Sequence, residues 1–496
     1  MGFPNFKVMW NDLSGILLPE MLLIGYICYF VIFLLLMRTY FRRLGKPELE
    51  ITADMNFTTW VLMYFGLLTY WILIFSGPIC YESLYGIYCD PIIFSFRAVF
   101  VALFIFYYIY ILYENTNGVY FNFEYLIILV VAMLGLSLMA LAHNFLNLFL
   151  FMELYAICIY YLIHNKRTSE SNSEAAFKYF VISSFSTAFF LFGVFFVYLA
   201  HGSIEYSALN ILRIGSKMEF FGYFLIVFGL LLKIGGGVFF FWVLDSYEGS
   251  SYPILMFLNI FVKPVFIFVT FKIITFGGTT ELLEIYKNLL FITSLIGVLG
   301  AAMHTKIKRF LIFTSLYNVG FLSCFFWDPI SHMLGGFVVF FGIYGVNAFG
   351  IMLLFSLMRV VDNGRKVFCI DDIKDLSSIL PQDFPAAAAI VGFLLSSSGL
   401  PPFSVFFVKY FLFVKLFTAF TLPYLLMLML ASAISLFYYV RIIRIILSPT
   451  RPTFFFSLDS PVVAYLLSGI TCINIYFVLE ADTLLYKLNL FILHWA

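Results

Sequence analysis

The sequence predicts an all-α, multi-pass membrane protein, and three observations predict it. Of its 496 residues, 63% are hydrophobic and only 11% charged, against about 45–50% and about 25% in soluble domains. Apolar windows of about 20 residues, the length that crosses a bilayer as a helix, recur about fourteen times. The basic residues between those windows fall in alternate connections. An ordinary water-soluble globule is excluded. Lys plus Arg total 28 against 27 Asp plus Glu, a net charge of +1, so no broad basic surface exists for nucleic acid.

The windows run 16–37, 57–77, 92–113, 122–143, 145–163, 177–200, 220–243, 252–271, 288–303, 310–327, 333–358, 384–421 (interrupted), 422–440 and 460–479. They leave short connections and no sizeable extramembrane domain. Basic residues cluster after odd-numbered windows, as Arg38, Arg42, Arg43 and Lys46, then Lys166, Arg167 and Lys178, then Lys306, Lys308 and Arg309. The pattern continues with Arg359, Arg365, Lys366 and Lys374, then Arg441, Arg444 and Arg451. Connections after even-numbered windows hold only Arg213, Lys217, Lys272 and Lys287. Lys and Arg collect on the side from which insertion proceeds, so both termini are expected on the opposite, outer face. The start, MGFPNFKVMWNDLSG, lacks the basic stretch, apolar core and cleavage site of a signal peptide, and insertion without cleavage is expected.

The 66 Phe and 33 Tyr exceed what lipid-facing positions require, since Leu, Ile and Val serve there equally. Mutational bias of the kind found in many organelle genomes accounts for them without an aromatic binding function. The seven cysteines include no Cys-x-x-Cys pair, which argues against a zinc site, an iron–sulfur cluster or a thioredoxin-type motif. Cys80 and Cys89 share one outer connection and can bond if that compartment is oxidising. His143, His201, His304 and His332 fall near window ends, where solvated or hydrogen-bonded interfacial positions are expected. No phosphate loop, HExxH, triad or dinucleotide fingerprint is present.

Of the charges inside apolar windows, four stand out: Glu153, Lys233, Lys263 and Lys409. Each costs roughly 2.5–3.5 kcal/mol near the bilayer centre on insertion scales and calls for a partner, water or a role. Any one of them fits a side chain snorkelling to the interface or a structural ion pair. Four together, three of them about eight or more residues from either end of their segments, point to a proton relay at membrane depth. Burial lowers the proton affinity of an ammonium and a nearby carboxylate raises it again, so a lysine between those effects can release and regain its proton. Two of the lysines adjoin helix-breaking stretches. Gly235-Gly236-Gly237 follows Lys233, and Ser396-Ser397-Ser398-Gly399-Leu400-Pro401-Pro402 precedes Lys409. Irregular backbone at membrane depth is tolerated where it is packed in protein or lines a polar cavity, although three glycines by themselves also fit close helix packing.

The run LLLKIGGGVFFFWVLDSYEGSSYPILMFLNIFVKPVF resembles a segment of the antiporter-like subunits of respiratory complex I. KRFLIFTSLYNVGFLS is similar to that family's arginine-led Tyr-Ser-Ser helix, and SSSGLPPFSVFFVKYFLF to its Gly-Ile-Pro-Pro segment. Tyr247-Glu248-Gly249, and a lysine at 409 where other branches have glutamate, resemble the subunit 2 branch, counterpart of bacterial subunit N. The resemblance covers roughly residues 120 to 450. It implies fourteen helices with two inverted five-helix repeats and broken helices 7 and 12, divided as 1–115, 116–280, 281–447 and 448–496. It assigns Glu153, Lys233, Lys263 and Lys409 to the family's proton path.

The implied activity is proton translocation in an NADH:ubiquinone oxidoreductase of the mitochondrial inner membrane, driven by redox chemistry elsewhere. No cofactor is expected on this chain, with NADH, flavin, iron–sulfur clusters and ubiquinone in other subunits. The implied partners are other membrane-arm subunits and lipids, and no nucleic acid. A cation/proton antiporter subunit of the related multisubunit type is the alternative, and a purely structural membrane anchor leaves the mid-window charges without purpose. The sequence departs from the family pattern at Val238, Phe240 and Leu244, where the family has proline, histidine and proline. It departs again at Asn318, where the family has histidine, and at Val405, where it has glycine.

Overall fold

The computed structural model describes residues 91–116, 123–164, 169–211, 217–277, 280–326, 332–362, 366–369, 371–382, 384–418, 422–448, 455–456 and 461–495, with a few positions between 24 and 72. Most of the first two apolar windows and the whole Cys80–Cys89 connection lie outside the described residues. The chain divides into two compact units, residues 1–165 and 166–496.

In the first unit, α1 (Pro91–Thr116), α2 (Phe123–Leu141) and α3 (Phe145–Ile163) pack in sequence. The turn into α3 is set by Asn144, whose side-chain oxygen accepts from the Leu146 amide at 3.0 Å and so caps the helix. Arg97 of α1 is buried and donates to the Tyr70 hydroxyl at 3.3 Å, which in turn lies 3.1 Å from the Ser137 hydroxyl of α2. A buried guanidinium is tolerated at such depth only with polar company.

The second unit begins with α4 (Glu170–His201), the short α5 (Tyr206–Ile211) and α6 (Lys217–Ile234), and α4 and α6 pack along their lengths. A break then leads to α7 (Phe241–Glu248). Next, α8 (Tyr252–Phe257) runs through a π-helical turn, Leu258–Val262, into α9 (Lys263–Gly277). The antiparallel pair α10 (Thr280–Met303) and α11 (Ile307–Cys324) precedes α12 (His332–Leu357). After a small sheet come α13 (Ile379–Gln382), α14 (Phe384–Ser398), α15 (Ser404–Thr418), α16 (Leu422–Leu447) and α17 (Pro461–Trp495). Each apolar window from the third onward therefore falls on helix. Among the described residues, seven helices are long and apolar enough to cross a membrane.

The core of this unit is α8–α9 and α12, whose membrane-length windows are buried throughout, whereas those of α4, α10 and α16 are mostly uncovered. Phe177, Phe180, Phe185, Phe192 and Phe195 along α4 are exposed, as suits a surface facing lipid or other membrane helices. One feature departs from an all-helical chain. Strands β1 (Met358–Asp362) and β2 (Lys366–Cys369) pair antiparallel, and β3 (Phe455–Phe456) pairs with the other edge of β1, giving the order β2-β1-β3. The connection reads as a hairpin once helices are not sought there, since β-branched and aromatic residues flank Asn363-Gly364, a turn-forming pair.

Candidate functional site

Lys263 is the first residue after the π-helical turn and is 1% exposed. Its ammonium donates to the Asn259 side-chain oxygen at 3.1 Å and to the Ser315 hydroxyl of α11. Ser315 donates onward to Asn259 at 2.9 Å, and the Tyr344 hydroxyl of α12 donates to the Asn259 backbone oxygen at 3.3 Å. That oxygen is available because the widened turn redirects the backbone bonding. The Tyr247 ring lies 5.2 Å from the ammonium, within cation–π range. No carboxylate belongs to this set, so hydroxyl and amide dipoles and one ring stand in for hydration.

Lys409 of α15 is 4% exposed and makes different contacts. Its ammonium donates to the backbone oxygens of Ser398 at 3.3 Å and Ser397 at 3.4 Å, and to the Tyr317 hydroxyl at 3.5 Å. It also faces the Tyr317 and Phe321 rings at 5.4 and 5.3 Å. The two carbonyls belong to the last turn of α14, which the Gly-Leu-Pro-Pro stretch leaves without following helical donors. A cation at a helix C-terminus is favoured by the dipole as well as by the bonds. Gly399 turns the chain with φ +78°, and a Cβ there would stand 2.9 Å from Lys409 Cδ. The break thus supplies both the acceptors and the space for the lysine.

A cavity of about 30 Å³ touches both sites, room for about one or two waters. Its polar lining includes Tyr344 from the Lys263 side, Ser397 from the Lys409 side, and Thr314, Asn318 and Asn347 between them. Asn347 is 2% exposed, and its side-chain oxygen has no hydrogen-bond partner in the protein, which suits a water donating to it. Asn318, at the family's histidine position, lines the same cavity and donates to the Thr314 backbone oxygen at 2.9 Å.

Lys233 is buried in the last turn of α6, and the helix stops one residue later. Gly235 and Gly237, at φ +75° and +65°, make this break in place of the family's proline, in a backbone region that other residues enter at a cost. Beyond it, α7 carries the Asp-Ser-Tyr-Glu-Gly element to the basic side. Glu248 is bound by Lys306 at 2.9 Å and Arg309 at 2.5 Å, while Lys308 donates to the backbone oxygens of Glu248 and Ser250 at 3.0 and 2.8 Å. Asp245 pairs with Lys178 of α4 at 2.9 Å. Lys178, Asp245, Glu248 and Lys308 line a polar pocket of about 340 Å³. The element therefore clamps α7 to α4 and α11 and presents Tyr247 to Lys263.

Partial burial raises the proton affinity of Glu248, but the bonds from Lys306 and Arg309 outweigh it and hold the carboxyl below its usual range. A carboxyl held low in the folded state contributes stability above its unfolded value, about 4.3. It loses that contribution as pH falls through the folded value. Glu248→Gln is accordingly expected to cost on the order of 1 kcal/mol at neutral pH, given how exposed the partners are. Thermal unfolding curves of the two proteins should converge in acid below about pH 4.

Of the four charges singled out in the sequence, Lys263 and Lys409 have bonding networks that reach one cavity, through Tyr344 and Ser397, and Lys233 lies on α6, which packs against α9. Glu153 is half-buried on α3 in the other compact unit. Sequence reasoning missed Asn259, Ser315, Tyr344 and Asn347, the polar groups that make the lysine sites habitable. The signal available was an asparagine in each of two otherwise apolar runs, at 259 and 347. Arg97, which falls within a window, was not among the charges singled out. His201, at the end of α4, takes the partnered rather than the solvated of the two expected positions: its side chain is 0% exposed and lies against Glu219. His143 is likewise 5% exposed.

A family model described as NADH:quinone oxidoreductase/Mrp antiporter, transmembrane, matches residues 142–435. NADH-ubiquinone oxidoreductase chain 2 of Dictyostelium discoideum is 26% identical over 332 residues, which are 65% of this chain and 67% of that protein. NADH-quinone oxidoreductase subunit N 1 of Rhizobium meliloti is 29% identical over 331 residues, 65% of this chain and 68% of that protein. The matches thus span about two thirds of these relatives' length. A chain of respiratory complex I from Thermus thermophilus with bound aureothin superposes with a TM-score of 0.75 at 19% identity, over 94% of this chain and 99% of that one. A chain of the Mrp complex from Dietzia sp. DQ12-45-1b gives 0.77 at 15% identity, over 98% and 97%. At those identities the likeness speaks for the fold.

Proposed function

Because the chain belongs to the NADH:quinone oxidoreductase/Mrp antiporter transmembrane family, we propose that it is a proton-translocating membrane-arm subunit of an NADH:quinone oxidoreductase. In this reading it has fourteen helices in two inverted five-helix repeats and resides in the mitochondrial inner membrane. Its partners are the other membrane-arm subunits. Electron transfer takes place on those partners, and this chain holds and moves protons.

The observation that carries the reading is the small cavity lined by Ser397, whose backbone oxygen accepts from Lys409, and by Tyr344, whose hydroxyl bonds the same Asn259 that accepts from Lys263. Protons enter from the basic side by the pocket at Asp245 and Glu248, and Glu153 sets the protonation of Lys233. Lys263 passes the proton sideways through water held by Asn347 and Asn318, and Lys409 delivers it toward the outer face. Asn318 takes part as a hydrogen-bonding group that orients water, since an amide does not carry a proton at neutral pH as an imidazole does.

Two measurements test the proposal. Affinity purification of the chain from native membranes is expected to bring NADH-oxidising activity with it; co-purification with cation/proton exchange and no NADH oxidation would favour the antiporter reading. Lys233→Ala is expected to leave the complex assembled and lower the number of protons moved per NADH. An assembled complex with unchanged stoichiometry would take Lys233 off the path.

A further inference from the structure

His201 and Glu219 are not used by the proton path through the lysines, yet they are among the most deeply buried ionisable groups of the second unit. The His201 Nε2 and Glu219 Oε1 atoms are 3.1 Å apart, and the side chains are 0% and 3% exposed. His201 is the last residue of α4, and Glu219 lies in the first turn of α6. Each therefore sits at the helix end whose dipole favours its charge, the imidazolium at a C-terminus and the carboxylate at an N-terminus. The two helices approach closely enough that a Cβ on Gly193 would stand 2.6 Å from the Gly222 backbone oxygen, which leaves little room for water at that end.

The position along the bilayer gives the pair its meaning. His201 is twenty-three residues along α4 from Lys178, which borders the polar pocket, a rise of about 35 Å. Lys233 lies between, fourteen residues or about 21 Å up α6 from Glu219. Glu219, Tyr223, Ile226, Leu230 and Lys233 recur at helical spacing on one face of α6, and Ile226 and Leu230 are fully buried. Tyr223, whose hydroxyl lies near that of Tyr206, is one turn along α6 from Glu219, and Lys217, two residues before Glu219, is exposed. The Tyr223 hydroxyl fills the space where a Gly277 side chain would be. A proton on Lys233 thus meets a dry layer and then a paired, desolvated charge before it could reach the far face.

We propose that His201 and Glu219 form a proton-holding plug that closes the outer end of α4 and α6, so that protons arriving at Lys233 leave sideways toward Lys263. The inference rests on the functional reading of the lysine relay, and its test is independent of turnover. The probe is a pH gradient imposed on proteoliposomes that contain the whole purified complex, without NADH. Glu219→Ala and His201→Ala are each expected to speed decay of the gradient about threefold or more, because removing one partner leaves the other to draw in water. The double variant His201→Gln/Glu219→Gln, which puts two neutral amides able to bond each other in the place of the pair, is expected to stay as tight as the wild type. Adding Lys233→Ala to Glu219→Ala is expected to stop the leak.

Alanine variants that assemble and hold the gradient like the wild type overturn the proposal, as does a Gln/Gln variant that leaks as much as they do. If the alanine variants do not assemble, infrared difference spectra between the wild type and His201→Gln decide the matter. An imidazolium band in the wild type supports the plug, and its absence overturns it. Normal pumping by Lys233→Ala with a leaking Glu219→Ala would instead remove Lys233 from the relay while keeping the plug.

Discussion

Lys263→Met is expected to lower NADH-driven proton movement about tenfold or more while the assembled complex still binds and oxidises NADH. Methionine matches the length and apolar stem of lysine and fills irregular space, so packing around α9 is largely kept. What disappears is the only formal charge in a set made of Asn259, Ser315, Tyr344 and the Tyr247 ring. Removing the ammonium frees the Asn259 oxygen and the Ser315 hydroxyl to bond each other alone, at modest cost, because that bond already exists at 2.9 Å. The variant therefore separates proton transfer from folding better than alanine would. The checks are the proton-to-electron ratio in sealed vesicles and the sedimentation of the intact complex. A full ratio in an intact complex would leave Lys263 as a structural cation.

Gly399→Ala is the second large effect expected. The residue sits at φ +78°, where a Cβ costs about 1–2 kcal/mol in any surroundings. Here the added methyl also meets the Lys409 stem at 2.9 Å from Cδ and 3.1 Å from Nζ. Relief requires the lysine to move off the Ser397 and Ser398 carbonyls, which leaves those acceptors and the ammonium poorly matched in a dry site. Gly392→Ala on the same helix is the control, since nothing stands within 4 Å of its added carbon. Gly399→Ala is expected to lose most proton movement and several degrees of thermal stability, and Gly392→Ala to lose neither. Equal behaviour of the two would separate the helix break from the lysine's position.

The lysine sites were legible in the sequence to the extent that charge in hydrocarbon is expensive. Lys263 and Lys409 each interrupt a long apolar run, and no amphipathic period explains them. Their partners were not legible for the opposite reason. Serine, tyrosine and asparagine are tolerated in membrane helices with few consequences, so Ser315 or Tyr344 carries no signal until the fold brings it to an ammonium. The break at Gly399 was visible because two prolines remove two helix donors, but that its loose carbonyls would face Lys409 depends on α15 folding back beside α14. The partner of His201 was not legible for a related reason. A histidine at the end of a window normally reaches water, and only the return of α6 along α4 places Glu219, distant in sequence, over it.

The π-helical turn from Leu258 to Val262 fixes how far the chain length can drift at this place. A turn of that kind carries one residue more than the regular spiral around it, and each residue of the regular spiral rotates the downstream chain by about 100°. Loss of a single residue from the turn would let the spiral close up and swing Lys263 off Ser315, carrying the whole of α9 with it. Connections on the surface can lengthen or shorten with little penalty, but in this five-residue stretch the count of residues is itself a functional specification, independent of which residues they are.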